Sequence, residues 1–202
     1  QSPIIVRSSS LLEDSYGNAF AGKYDSPFLA NQGSPEERYS KLIDAVRTIY
    51  SSTMNEYALV YRMQRGLDGM DEQMALLVQR VSGAYHEKYF FPDAAGVGFS
   101  YNTFVWRKTL DPKAGMIRIV YGLGTRAVNR VEGDYPRIVA LDEPMLKSHG
   151  TVKDEQRFSQ HEVDVINVKE NSLQTLPLRE LVKKGLDLDM SLVAVKDYEA
   201  IE

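Results

Sequence analysis

Three arginines and two carboxylates fall within one short stretch in the second half of the chain. Arg126, Arg130 and Arg137 surround Glu132 and Asp134. A guanidinium group can hold two phosphate oxygens at once, and carboxylate oxygens are ligands that Mg²⁺ prefers. The stretch therefore predicts either a site for phosphate and magnesium or a solvated loop whose charges pair with one another.

Arg7 is a second candidate ligand for phosphate. It follows a short β-branched run and precedes Ser8, Ser9 and Ser10. One arginine beside hydroxyl groups and exposed backbone amides can hold a phosphate group. Glu13-Asp14 comes next and could bind a metal ion. The alternative is a strand-end turn in which these carboxylates pair with Arg7, an interaction worth roughly 0–1 kcal/mol when it is exposed.

Two further features admit both a functional and a structural interpretation. Gln79 interrupts an apolar run, so it either faces solvent by strand alternation or contacts a ligand. Gly122-Leu123-Gly124 follows another apolar run. Glycines in such a loop let backbone amides approach an anion, although the same residues also form ordinary turns. The loop matches neither the dinucleotide fingerprint nor the phosphate loop that ends in Gly-Lys-Ser/Thr.

Composition excludes several classes of function. The 202 residues include no cysteine, which excludes disulfides, thiolate metal sites and cysteine nucleophiles and fits a reducing, cytoplasmic location. A net charge of −4 argues against a nucleic-acid partner. No apolar run approaches the roughly 18 residues that cross a bilayer, so we expect no membrane association. His86, His149 and His161 share no metal-binding spacing.

One helical block and several strands must position these residues. Ser34-Pro35-Glu36-Glu37 has the residue types of a capping box. Apolar residues then recur every three or four positions, which predicts a long helix or a helix pair over residues 35–65. The run at 74–81 is typical of a central strand. Further apolar runs predict strands at 4–6, 95–100, 116–121, 137–141 and 163–168, and a short helix at 178–184. These elements predict an α/β (α+β) domain in which helices flank a mixed β-sheet.

An ordered set of motifs resembles the nucleotide-binding domain of the phosphoenolpyruvate synthase and pyruvate phosphate dikinase family. The set spans residues 4 to 141, and each motif is weak alone. The matching segments are Val6–Ser10, Glu13–Asp14, Phe20–Lys23, Ala58–Arg62, Val78–Val81, Ala95–Phe99 and Tyr121–Gly124.

The resemblance implies an ATP-grasp fold, with ATP in a cleft between two α/β subdomains. It also implies that ATP and Mg²⁺ are used to phosphorylate a histidine on another domain, from which the phosphoryl group passes to pyruvate. Arg7 would then bind phosphate, Gln79 would line the nucleotide cleft, and the loop from Gly122 to Arg137 would bring Arg126 to phosphate. The metal role transfers to Asp134, with Glu132 as a competitor.

The sequence departs from the family at one informative position. The family carries Glu directly after Gly-Leu-Gly, whereas this chain has Thr125. Two alternatives therefore stay open: a related ATP-grasp enzyme with another acceptor, such as an antibiotic or a glucan, and a nucleotide-binding module that has lost catalysis.

The chain is interpreted as a segment of a longer phosphotransferase. It begins with Gln1 and lacks both the lysine-bearing first subdomain and the Thr-Ser/Cys-His phosphohistidine motif of the family. We expect residues 1–144 to form a partial ATP-grasp subdomain and residues 145–202 to be an extension of it or the start of a linker. The isolated segment is expected to be inactive.

Overall fold

The computed structural model describes residues 1–13, 22–129, 131–186 and 188–189. The chain divides into two compact units, of which the first comprises Gln1–Ser82 and Ile166–Leu173. The second comprises Gly83–Val165 and the described residues after Leu173. This second unit continues without a break through residue 144. The division into domains at residues 1–144 and 145–202 stays a prediction.

The first unit is an antiparallel sheet covered by helices on one face. Its strands are β1 (Ile4–Ser10), β2 (Phe28–Leu29) and β3 (Met74–Arg80), in the order β2-β1-β3. The helices are α1 (Pro35–Ser52) and α2 (Glu56–Gln64). Val6 of β1 packs in a buried cluster with Ala45 and Ile49 of α1, so the two elements share one hydrophobic core.

The chemistry at the helix ends confirms the predicted helix pair. The Ser34 side chain accepts a hydrogen bond from the Glu37 backbone amide, and the Glu37 carboxylate accepts one from the Ser34 amide. These bonds satisfy two donors that a helix start leaves without partners. Asn55 caps α2 by accepting a hydrogen bond from the Ala58 amide at 2.6 Å. A new cap at this point explains why the block forms two helices.

The other described strands form two further sheets. One has the order β6-β7-β8 and is antiparallel, formed by β6 (Ala95–Phe99), β7 (Met116–Val120) and β8 (Arg137–Ala140). The other has the order β10-β9-β5-β4. Its strands are β4 (Ala84–His86), β5 (Tyr89–Phe91), β9 (Glu162–Asn167) and β10 (Ser172–Pro177). The short helices are α3 (Thr125–Val128), α4 (Val152–Arg157) and α5 (Leu178–Lys183).

The predicted α/β (α+β) class is confirmed, with two differences in the arrangement of strands. The described strands form three separate sheets rather than one mixed sheet, because short connections such as the turn between β4 and β5 favour antiparallel hairpins. The run expected to be a central strand is β3, which lies at the edge of its described sheet and is largely exposed. The central position belongs to β1.

None of the helices in the described parts of the chain is both long enough and apolar enough to cross a membrane. The longest, α1, has 18 residues and carries several charged side chains.

Candidate functional site

Arg7 and Gln79, two of the predicted site residues, lie side by side on one face of the first sheet. In the antiparallel register Arg7 is opposite Leu77 and Ile5 is opposite Gln79, so these side chains point to the same face. The Arg7 Nη1 atom donates to the Gln79 Oε1 atom at 3.5 Å. Both residues are exposed. We call this surface the Arg7–Gln79 face.

The Arg7 guanidinium is open to a ligand because the nearby carboxylate is used elsewhere. Glu13 accepts hydrogen bonds from the Ser8 hydroxyl at 3.1 Å and from the Ser10 amide at 3.2 Å. Among the described residues, no carboxylate forms an ion pair with Arg7. A strand-end salt bridge between Arg7 and Glu13 is therefore not formed. The other predicted partner, Asp14, lies outside the described residues.

The Ser8 and Ser10 hydroxyls do not share the Arg7–Gln79 face. Ser8 and Ser10 alternate with Arg7 along β1 and so project from the opposite side of the sheet. The Ser10 hydroxyl also accepts a hydrogen bond from the Glu13 amide at 3.1 Å. Ser8 and Ser10 thus fix the turn after β1, and the expected phosphate clamp of arginine and hydroxyl groups is not formed by these two serines.

Arg126 has the opposite surroundings. It is 8% exposed, and its Nη1 atom pairs with Asp134. Its Nη2 atom lies 3.0 Å from Glu162 Oε2, and its Nε atom lies 3.3 Å from Asp164 Oδ1. Burial acts to lower the pKa of the Arg126 guanidinium, but hydrogen bonding and the charges of Asp134 and Asp164 outweigh it and raise that pKa. Arg126 is therefore a permanently charged group whose ion pairs with Glu162 and Asp164 join α3 to β9.

Both carboxylate oxygens of Asp134 form hydrogen bonds or ion pairs, as the guanidinium of Arg126 does. Its Oδ2 atom pairs with Arg126, and its Oδ1 atom accepts from the His161 amide at 2.5 Å and from the Glu162 amide at 3.3 Å. Both oxygens therefore have protein partners, which a metal ion at Asp134 would have to displace or share.

Glu132 is exposed. The described residues include no group of three or more histidine, aspartate or glutamate side chains that could hold a metal ion. Magnesium at Glu132 or Asp134 stays a prediction, as does phosphate at Arg126.

The glycine loop packs against β9. Gly122 has a φ of +84°, and a Cβ atom there would lie 2.2 Å from a Val163 methyl group. The Leu123 amide donates to the Asp164 carbonyl at 3.1 Å. Glycine is thus required here by a left-handed conformation and by close packing. The Leu123 amide, which could have bound an anion, is already bonded to the Asp164 carbonyl.

The family comparison gives these arrangements their context. The family model described as the AMP/ATP-binding domain of pyruvate phosphate dikinase matches residues 1–199. The chain belongs to this family. The matched residues include the Arg7–Gln79 face and Arg126 with its partners Asp134, Glu162 and Asp164. Of the matching motifs, Phe20, Ala21 and Asp14 lie outside the described residues, as does Arg130.

One curated relative is similar over part of the chain. Rifampicin phosphotransferase of Bacillus subtilis (strain 168) is 30% identical over 125 residues, which are 61% of this chain and 12% of that protein. The chain therefore spans only a small part of the length of this relative.

Sequence reasoning missed the β9 partners of Arg126 and the partner of Thr125. The Thr125 hydroxyl donates to Asp164 Oδ2 at 2.5 Å, and the Thr175 hydroxyl donates to Asp164 Oδ1 at 2.6 Å. At the position of the family's Glu, this chain thus has the neutral Thr125, which is bonded to the Asp164 carboxylate of β9. One signal was present: Asp164 stands between Val163 and Val165, both buried. A carboxylate in such a run needs partners.

Proposed function

We propose that the chain is part of the ATP-binding region of an ATP-dependent phosphotransferase, and that the Arg7–Gln79 face contacts the phosphates of the nucleotide. The observation that carries this proposal is the exposed Arg7 guanidinium, which has no carboxylate partner among the described residues and lies 3.5 Å from Gln79 Oε1. In a member of an AMP/ATP-binding domain family, an unpaired arginine is suited to receive an anion.

Arg7 would bind and neutralise phosphate oxygens. Phosphoryl transfer depends largely on positioning and on stabilisation of charge that spreads over phosphate oxygens. A guanidinium group supplies two parallel donors for this purpose. Gln79 would orient the Arg7 side chain through its Oε1 atom and offer its own amide group to the nucleotide. Arg126 is a weaker candidate for this work because phosphate would have to displace carboxylates from it.

The remaining parts of the reaction are proposed from the family. In an ATP-grasp arrangement ATP would lie in a cleft completed by another subdomain. A histidine on a further domain would accept the phosphoryl group and pass it to pyruvate. A cytoplasmic location and an inactive isolated segment belong to the same proposal. No step is assigned to a metal ion at Asp134, because both oxygens of that carboxylate are engaged.

The acceptor can be tested by product analysis. The full-length protein is incubated with MgATP and pyruvate, with and without inorganic phosphate, and the nucleotide and pyruvate products are identified. We expect AMP and phosphoenolpyruvate. Formation of pyrophosphate in the presence of phosphate would select the dikinase reaction over the synthase reaction.

A different acceptor is the second candidate function. The similarity to a rifampicin phosphotransferase over 125 residues supports it. Pyruvate-independent formation of AMP from ATP together with a phosphorylated organic acceptor would favour this candidate. Efficient phosphorylation of pyruvate would exclude it.

Loss of catalysis is the third candidate, and Thr125 at the position of the family's Glu supports it. In that case the full-length protein would bind ATP but would neither hydrolyse it nor exchange phosphate with it. Turnover of MgATP would exclude this candidate.

Replacement of Arg7 tests the site itself. Arg7→Ala in the full-length protein should weaken ATP use by about 1.5–3 kcal/mol, the usual loss for a hydrogen bond to a charged group. This corresponds to roughly 10- to 150-fold in kcat/KM for ATP. Arg80→Ala is a matched control because Arg80 is an exposed arginine of β3 on the opposite face of the same sheet. Equal ATP kinetics in the two variants would contradict the proposed role of Arg7.

A further inference from the structure

The second unit contains a cavity that shares no residue with the Arg7–Gln79 face. Its volume is about 740 Å³. The cavity lies between β7 and β8, the loop from Pro144 to His149, and α4, and Phe104 and Leu178 contribute to its wall. Sites for small organic molecules have volumes of roughly 300–1,000 Å³, so the size suits such a ligand.

Aromatic rings form one wall of this cavity. Phe158 is at the centre of the wall: the Tyr135 ring meets it edge-on with centroids 5.3 Å apart. The His149 ring stacks on it at 5.0 Å and an angle of 18°. Phe104 lines the cavity as well. Rings that already pack in edge-on and stacked geometries offer the same geometries to a ring of a ligand.

The loop beside the cavity and the start of α4 expose apolar side chains to solvent. Met145 is 92% exposed and Val152 is 56% exposed, and both line the cavity. Clustered apolar exposure of this kind marks a surface that binds something. The exposed residues belong to the wall itself, so a ligand in the cavity would cover them.

The charges in the wall favour an uncharged ligand. Lys147 lies 2.9 Å from Glu155, so these two charges neutralise each other. Arg137 also has an interaction partner. The Ser148 hydroxyl and the His149 imidazole nitrogens, by contrast, form no hydrogen bond with the residues that the structure describes. Each of these side chains can donate or accept a hydrogen bond, so a polar but uncharged group of the ligand would satisfy it.

We propose that this cavity binds an uncharged small organic molecule that carries an aromatic ring. The ring packs against Phe158 and Tyr135, and a hydroxyl, carbonyl or amine group of the ligand bonds to Ser148 or His149. The site goes beyond the proposed ATP chemistry, because none of its residues belongs to the Arg7–Gln79 face and it requires no phosphate.

Two dyes of the same ring system test the chemical class. N-phenyl-1-naphthylamine is neutral, and 8-anilinonaphthalene-1-sulfonate adds a negative charge to the same rings. Fluorescence titration of the full-length protein should show saturable binding of the neutral dye, at least about tenfold tighter than that of the sulfonate. Equal or tighter binding of the sulfonate, or no binding of the neutral dye, would overturn the proposal.

A pair of valine variants tests the location. Val152→Trp places a large side chain at the wall, whereas Val60→Trp makes the same change at a helix valine that is 42% exposed and does not line the cavity. We expect the affinity for the neutral dye to fall at least about tenfold in Val152→Trp and to stay unchanged in Val60→Trp. Equal affinities in the two variants would place the dye elsewhere and contradict the proposal.

Photolabelling of the unmodified protein gives a second readout that does not depend on folding of a variant. Irradiation with benzophenone, a neutral two-ring ketone, should label residues 135–160, with Met145 as the preferred position. Labelling confined to other peptides, or labelling that excess N-phenyl-1-naphthylamine does not suppress, would overturn the assignment of the ligand to this cavity.

Discussion

Arg7 in the first unit and Arg126 in the second each lie near a segment that could approach an anion, Ser8–Ser10 and Gly122–Gly124, yet their surroundings are opposite. Arg7 is exposed, and within the described parts of the chain its guanidinium hydrogen-bonds only to the neutral Gln79 side chain, at 3.5 Å. Arg126 is 8% exposed and contacts Asp134, Glu162 and Asp164. An arginine is thus a candidate ligand for phosphate when its charge lacks a protein partner, whatever residues lie beside it in sequence.

The sharpest test of this comparison is the stability of variants at the two arginines. Arg126→Met should lower the free energy of unfolding by about 3–5 kcal/mol, because it leaves buried carboxylates without their cation. Arg7→Met makes the same change at an exposed position and should alter stability by no more than about 0.5 kcal/mol. Urea denaturation measures both values. Similar losses in the two variants would show that the units do not differ in this way.

Two buried tyrosines, Tyr24 in the first unit and Tyr121 in the second, differ in the opposite direction from the two arginines. In the first unit, Tyr24 is buried and its hydroxyl donates to Glu72 Oε2 at 2.5 Å. In the second unit, the buried Tyr121 hydroxyl has no hydrogen-bond partner among the described residues. The unit with the open arginine thus gives the Tyr24 hydroxyl a partner, and the unit with the paired arginine leaves the Tyr121 hydroxyl without one among the described residues.

Tyr24→Phe should therefore destabilise the protein. The lost bond joins a hydroxyl to a carboxylate, and such bonds contribute about 1.5–3 kcal/mol. Burial, together with the hydrogen bond to Glu72 and its charge, raises the pKa of Tyr24 above its usual value. Urea denaturation at neutral pH measures the loss. A change smaller than about 0.5 kcal/mol would mean that water replaces the phenol at Glu72 without cost.

Gln79→Ala sharpens the functional side of the comparison. Gln79 carries no charge, and its contact with Arg7 is long at 3.5 Å and exposed. Its loss should therefore weaken ATP use by about 0.5–1.5 kcal/mol, less than the loss for Arg7→Ala. The double variant Arg7→Ala with Gln79→Ala should be less impaired than the sum of the two single effects, because the residues contact each other. Strict additivity in kcat/KM for ATP would show that they act independently.

Local chemistry explains which parts of the fold could be predicted. The capping box at Ser34 and Glu37 and the helix pair after it depend on residues close in sequence, and they are confirmed. The strands β6, β7, β8 and β9 and the helix α5 are confirmed as well. The strand predicted at 4–6 is confirmed, but its predicted end is wrong, because β1 continues through Arg7 to Ser10. The hairpin of β4 and β5 was missed because its strands have three residues each, too few to show an alternating pattern.

Long-range pairing explains what could not be predicted of the site. Arg7 and Gln79 were each predicted as site residues, but their contact depends on the register of β1 and β3 across 72 residues of sequence. Glu162, one of the partners of Arg126 on β9, is 36 residues away in sequence. Nothing in the loop around Arg126 distinguishes an arginine that will meet carboxylates from one that will remain open. The apolar run of β3 also could not reveal that the strand lies at an edge.

Tyr121→Phe gives the smallest effect at neutral pH and the clearest dependence on pH. Removal of a buried hydroxyl that has no partner should leave stability unchanged or raise it by about 1 kcal/mol. Burial raises the pKa of Tyr121 above its usual 10.0, and the charges of Asp93 and Asp189 add to the increase. The folded protein therefore keeps the phenol protonated at a pH where the unfolded chain has lost that proton.

The sign of the alkaline effect follows from this difference in proton binding. Because the pKa is higher in the folded state, ionisation of Tyr121 favours unfolding. This ionisation leaves the free energy of unfolding unchanged below pH 10 and lowers it as the pH rises above 10. Tyr121→Phe abolishes this loss, so the variant should gain on the unmodified protein by up to about 1.4 kcal/mol per pH unit above that point. Urea denaturation between neutral and alkaline pH measures the gain, and Tyr39→Phe, at a tyrosine that is 66% exposed, is the control. If both variants follow the unmodified protein at every pH, the Tyr121 hydroxyl has found a partner that stabilises its charge, and the contrast with Tyr24 disappears.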